Sequence, residues 1–405
     1  MKKILTLAIA ITLYATAQGQ RNRTSNEIRL PADQNSFMLA PSSDGSDLHF
    51  LLPVTRVNQF WRSSVGSPRN VLSNSTTWIA EIIWQDFDLD GTGQVLTLTP
   101  GKETGTGPNG HIGLTLKNYP NDQWGNVVVG IKKEGEETYL WSWHIWITDF
   151  TLDRAVTYPT GLIGMDRFLG AKSAVPGNAG TLGLMYQWHR KDPFPGAADI
   201  TSNEPATTAP NDIWKTQDPV EGGTYAFAAQ NPTTFVTGIT SNHSSIIVWE
   251  VNERNLNNRG DWLIRANPTN SRTRGIKSIQ DPCPKGWKVP HPIDELGETI
   301  SPWNGFVFGR TFVYDSENKG FMYAGRDWWP MAGRLNYITG ALQNVGTHLF
   351  SSTTQSSTRT FNEELNNTVR SIFGTQTAIQ VYETTNNRRA AGTPIRCMRF
   401  PADDR

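Results

Sequence analysis

Asp281-Pro282-Cys283-Pro284-Lys285-Gly286-Trp287-Lys288-Val289-Pro290 is the stretch on which the reading of this chain turns. Two prolines and a glycine confine its backbone to a turn. Cys283 offers a covalent tether, and Trp287 a large apolar anchor for a core. The chain closes on a companion stretch, Thr393-Pro394-Ile395-Arg396-Cys397-Met398-Arg399, and Cys283 and Cys397 are its only cysteines. An even pair in an oxidising compartment is most simply one disulfide. Closing so long a loop restricts the unfolded chain by roughly 4–5 kcal/mol in the chain-entropy model. The alternative reading, a catalytic thiol, needs a reduced cysteine with a base beside it. Taken together, the two stretches read as opposite ends of one compact domain whose last strand covers residues 395–400.

The compartment is read from the start of the chain. Lys2 and Lys3 precede an uncharged apolar run over residues 4–17, and Ala17-Gln18-Gly19 follows. A basic start, a short apolar core and small residues at the exit describe a signal peptide over residues 1–19, cut before Gln20. The run is shorter than the ~20 residues of a membrane span. The expectation is a secreted or cell-surface protein with no membrane span in the mature chain.

Composition narrows the class further. In 405 residues, Lys+Arg total 37 and Asp+Glu total 37, so the formal net charge is zero and no basic excess points to nucleic acid. Charged residues make up 18%, below the ~25% of an average domain. Gly 36 and Pro 24 indicate many turns, while Trp 15, Phe 17 and Tyr 10 supply ample aromatic area. These numbers fit a loop-rich, mostly β extracellular protein and argue against a helical bundle. At ~150 residues per domain, two or three domains are expected.

Residues 25–150 are written in strands. Candidates are 27–30, 47–52, 78–84, 94–99, 111–116, 126–131 and 139–147, several alternating with period two. Seven short strands separated by turn signals make an immunoglobulin-like β-sandwich over residues 20–150 the natural expectation. Trp141, Trp143 and Trp146 read as a core strand before a binding platform, because aromatics in strands usually pack. Beyond residue 150 the chain is polar, with isolated short apolar runs and single tryptophans such as Trp214, Trp249 and Trp262. That pattern suits a loop-dominated domain around a small mixed core.

Few residues nominate chemistry. Asp86-Phe87-Asp88-Leu89-Asp90-Gly91 places three carboxylates at alternate positions, as calcium loops begin. Thr97 stands where such a loop would carry its closing glutamate, so Ca2+ at Asp86, Asp88 and Asp90 competes with an ordinary polar hairpin. The seven histidines are scattered, with no zinc-type spacing, nucleophile elbow or phosphate-cradling loop. No cofactor and no catalytic residue is expected.

Residues 283–290 spell Cys-Pro-x-Gly-Trp-x-Val-Pro, and here the chain resembles the FISUMP (major paralogous) domain of exported Bacteroidetes-type proteins. Gly346, Phe350-Ser351-Ser352, Asn386-Asn387-Arg388-Arg389 and Arg396-Cys397 resemble its C-terminal pattern, with Phe350 where the family more often has Trp. Residues 165–171 and 186–195 are similar to its opening segments. The resemblance implies an α+β, C-type-lectin-like head over residues 155–405, a twisted antiparallel core under long loops. With the sandwich before it, this architecture is similar to bacterial adhesins and fimbrial tip proteins. It implies a glycan or a host or bacterial surface protein as ligand, with fimbrial or envelope subunits as further partners. The residues 326–357 are then expected at the exposed face, and Arg326, Asp327, Trp328, Arg334, Asn336, Tyr337, Ser351 and Ser352 are the candidate ligand-binding residues. At least one of Trp328 and Trp329 should fill the core, since neighbours on an extended strand point opposite ways. A Glu-Pro-Asn step of calcium-dependent lectins is absent, Glu204-Pro205 being followed by Ala206. A secreted carbohydrate-active or protein-modifying enzyme and a structural subunit are the alternatives on the same fold.

Overall fold

Alternating apolar residues in the first third make two sheets. In the computed structural model, which describes residues 27–63, 67–87, 95–118, 123–206, 213–218, 224–238, 263–264, 276–291, 301–356, 369–383 and 387–399, the chain is mostly β. The first sheet orders β1 (Glu27–Arg29), β3 (Leu48–Pro53), β7 (His111–Leu116) and β5 (Leu96–Leu98). The second orders β2 (Ser36–Leu39), β9 (Tyr139–Ile147), β8 (Gly125–Lys133), β4 (Thr77–Gln85) and β6 (Thr104–Thr106). Pairing is antiparallel except for β1 with β3 and β2 with β9, which run parallel.

Period-two alternation aims one face of each sheet inward. Leu52, Ile112 and Leu114 from the first sheet share one buried cluster with Trp78, Val129 and Trp143 from the second. Helix α1 (Thr55–Trp61) closes this core with Val57, Phe60 and Trp61, the i, i+3, i+4 face of its single apolar stripe. The Trp61 indole N–H donates to the Leu140 carbonyl at 2.7 Å, so the ring is buried without losing its hydrogen bond.

The second half is assembled from short sheets. Strands Phe312–Asp315, Gly320–Tyr323 and Asp327–Pro330 form an antiparallel three-stranded sheet, and His348–Ser356, Val369–Thr375 and Ala378–Glu383 form another. A four-stranded sheet orders Tyr186–Gln187, Gly392–Thr393, Arg334–Leu335 and Leu342–Gln343. Helix α2 (Tyr225–Gln230) begins at Thr224, whose hydroxyl accepts the Phe227 N–H. An aromatic cluster built on Trp303, Phe306, Phe312, Phe321 and Trp329 forms the core of this half.

The two halves share a third core. Trp84, Val128 and Trp146 point out of the second sandwich sheet and are buried together with Trp188, Cys283, Trp287, Val289, Ile395 and Cys397. Strand β9 is therefore covered on both sides: Trp141, Trp143 and Ile145 face the sandwich interior, and Ser142, His144 and Trp146 face the second half. The tryptophan run is core throughout, with Trp146 anchored by donating to the Ala171 carbonyl at 3.1 Å. The expected signal peptide lies outside the described residues. Among the described residues, no helix is long and apolar enough to cross a membrane.

Candidate functional site

The quoted turn folds around its own aspartate. Asp281, fully buried, accepts the backbone N–H of Cys283 at 2.8 Å and of Val289 at 3.1 Å, and pairs with Lys277. Gly286 takes φ +77°, the left-handed conformation that L side chains avoid, and lets the chain reverse before Trp287. Lys288 and Met398 exchange two backbone hydrogen bonds at 2.9 Å each, laying the turn beside the C-terminal stretch. There Cys283 and Cys397 are bonded, with Cα atoms 5.9 Å apart and both side chains fully buried. The disulfide reading holds, and with both sulfurs bonded to each other neither is a free thiol.

Arg396, next to the bridge, carries a second tie. Its guanidinium is fully buried, pairs with the fully buried Asp327, donates to the Trp328 carbonyl and lies 3.8 Å from the Trp329 ring centre. Asp327 also accepts Tyr158 Oη–H and Trp329 Nε1–H, each at 2.8 Å. A buried carboxylate so surrounded is a structural node, since each lone pair left empty there would cost free energy.

The eight candidate ligand residues therefore separate. Asp327 and Trp328 are buried, at 0% and 3% exposure, as are Ser351 and Ser352 at 0% and 3%. The Trp328 ring lies against Gly320 on the neighbouring strand, where any side chain would strike it, while Trp329 fills the opposite core. Both tryptophans are thus interior. Ser352 is spent on Thr393 Oγ1 and Asn387 Nδ2, at 2.7 and 2.8 Å. These four build the base of the segment, in place of the exposed face expected for residues 326–357. Arg326 is exposed, and Arg334, Asn336 and Tyr337 are half-buried. The Arg334 guanidinium lies 4.6 Å from the Phe350 ring centre, and Arg388 lies 6.0 Å from that of Tyr337. Asn336 Oδ1 accepts the N–H groups of Ile338 and Thr339, at 2.7 and 3.2 Å, and holds the turn that carries them.

Of the calcium reading only Asp86 can be placed, since Asp88 and Asp90 lie outside the described residues. Asp86 is buried and accepts both the backbone and side-chain N–H of Asn126, at 2.6 and 2.8 Å, so its oxygens serve the sandwich. Burial pushes its carboxyl above the usual carboxylate range, against the pull of Lys172. Among the described residues, no group of three or more His, Cys, Asp or Glu side chains is placed to hold a metal.

One concave feature lies beside the half-buried turn. A cleft of about 420 Å³ opens between strands Arg334–Leu335 and Leu342–Gln343 on one side and the parallel pair Lys215–Gln217 and Thr234–Val236 on the other. Phe194, Trp214 and Phe235 contribute its aromatic surface from three separate segments. Trp214 stood out in the sequence only as an isolated anchor, and no linear motif joins it to the other two. No family model, curated protein or solved structure matches this chain.

Proposed function

We propose that this protein is an exported, cell-surface or fimbria-associated adhesin-like protein that binds a glycan or a surface protein through the loop face of its C-terminal domain. In this reading an immunoglobulin-like sandwich carries a C-type-lectin-like head, and Arg326, Arg334, Asn336 and Tyr337 with their neighbours supply the face. The observation that carries it is the buried frame: the Cys283–Cys397 bridge and the Asp327–Arg396 pair fix a rigid base from which the turn at residues 334–343 projects its polar and aromatic side chains. Sites held on rigid supports lose less conformational entropy on binding. The bonded cysteines also leave a thiol-dependent enzyme on this fold without its nucleophile. The test is saturable binding of the full, disulfide-intact mature chain to a glycan array and to immobilised host-surface proteins. The reading expects at least one specific ligand. Turnover of a substrate with no stable binding would overturn it, and exclusive co-purification with envelope or pilus subunits would make it a structural component.

A further inference from the structure

We propose that the cleft lined by Phe194, Trp214 and Phe235 is a metal-independent saccharide site, an assignment that rests on the binding reading and narrows it to one ligand class and one place. Its size, about 420 Å³, falls within the roughly 300–1,000 Å³ of small-ligand sites. The floor is apolar: Phe194, Phe235, Leu335 and Leu342 are each at most 9% exposed. Trp214 stands half-buried at its side, 6.1 Å from Phe194, which in turn lies 5.4 Å from Phe235.

The rim has the opposite character. Asn203, Glu204, Lys215, Thr216 and Thr339 line it and are exposed. Together they offer a carboxylate acceptor, an ammonium, two hydroxyls and an amide. The Asn203 oxygen already accepts the Val345 N–H at 3.2 Å, so its NH2 group is what it presents to a ligand. An aromatic floor under a short rim of mixed donors and acceptors matches a sugar ring, with one C–H-rich face and hydroxyls along its edge. A purely apolar ligand would leave the rim groups it covers without hydrogen-bond partners, which disfavours it. A polyanion would meet the Glu204 carboxylate. Glu204 is also the sole carboxylate among the described lining residues, far short of the six to eight oxygens calcium takes.

The cleft is held open by its own hairpin. Asn336 N–H donates to the Ala341 carbonyl at 2.7 Å, and Gly340 N–H returns to the Asn336 carbonyl at 2.9 Å. Gly340 has φ +70°, and a Cβ there would come within 3.1 Å of both Phe235 and Thr216, so glycine is what lets the hairpin tip lie against the floor.

The experiment uses the full, disulfide-intact mature chain on a glycan array with EDTA throughout, followed by titration calorimetry of the best saccharide. Ala341 is exposed at the cleft mouth, so Ala341→Trp fills the cleft from outside the core. Thr339→Trp serves the same purpose should that variant melt early. The proposal expects at least tenfold weaker saccharide binding with an unchanged Tm, while Glu137→Ala, exposed on the first half and outside the cleft, binds as the parent does. Parent-like affinity in the filled variant overturns the site and leaves the binding reading standing. So does a protein that binds only protein ligands, or one whose saccharide binding needs the metal that EDTA removes. A chain that binds no ligand at all overturns both.

Discussion

Asp327 shows how far a residue's role can depart from what its neighbourhood in the sequence suggests. Among arginines, tryptophans and an asparagine, Arg326-Asp327-Trp328-Trp329-Pro330 reads like a surface rich in recognition groups. The structure turns the chain inward after Arg326, and Asp327 meets Arg396, Tyr158 and Trp329 with no exposed surface. Its partners come from 169 residues upstream and 69 downstream, and nothing local in the sequence encodes such pairing. Asp281 is a parallel case: it stands first in the stretch that decides the fold, yet its task of collecting two backbone N–H groups is visible only once the turn is closed. Removing one partner of a buried ion pair costs about 3–5 kcal/mol, because the other charge is left without compensation. Asp327→Ala should therefore lower the denaturant midpoint by a corresponding amount. An unchanged midpoint with lost ligand binding would instead make Asp327 a recognition residue.

At the scale of elements, the strands with clear alternation were legible. Candidates at 111–116 and 139–147 coincide with β7 and β9, and those at 27–30, 47–52, 78–84, 94–99 and 126–131 match their strands within a few residues. Three elements of the sandwich left too little signal. Ser36–Leu39 is only 4 residues, Thr104–Thr106 has no apolar residue, and α1 shows an apolar stripe of one helical turn. Period-two alternation puts Ser142 and His144 on the face of β9 opposite Trp141 and Trp143. What it did not reveal is that this face is buried as well. His144 is held by Asn126 Oδ1 at 2.8 Å, Ser36 Oγ at 3.3 Å and Tyr186 Oη at 3.4 Å. Burial depresses its imidazole from the ordinary 6.5 to about 3. Between those values the folded protein keeps His144 neutral while the unfolded chain takes up a proton, so its contribution to stability falls as pH drops below 6.5. At about 1.4 kcal/mol per pH unit, moving from pH 7 to 4.5 costs about 2–3 kcal/mol through this group alone. His144→Gln should remove that part, leaving a smaller loss of stability between the two pH values in denaturant titrations. An equal loss in both proteins would mean that His144 is protonated in the fold.

At the scale of the molecule, the sequence divided the chain near residue 150, and the sheets respect that division. The cores do not. Trp84, Val128 and Trp146 of the sandwich are buried against the disulfide and Trp287, and Asn35 donates to the carbonyls of Ile279 and Asp281 at 2.6 and 3.0 Å. The sandwich thus forms one wall of the packed core in which the bridge is buried. The cleft is a product of the same scale, since its aromatic groups come from segments with no common motif and meet only when the second half closes. If the account is right, the bridge and the sandwich belong to one cooperative unit. The most direct measurement is differential scanning calorimetry of the full chain, disulfide intact and then reduced. The account predicts a single transition covering both halves, shifted as a whole to lower temperature by more than about 5 °C on reduction, as a loss of roughly 4–5 kcal/mol implies. Two separate transitions, with only one of them moving on reduction, would contradict it.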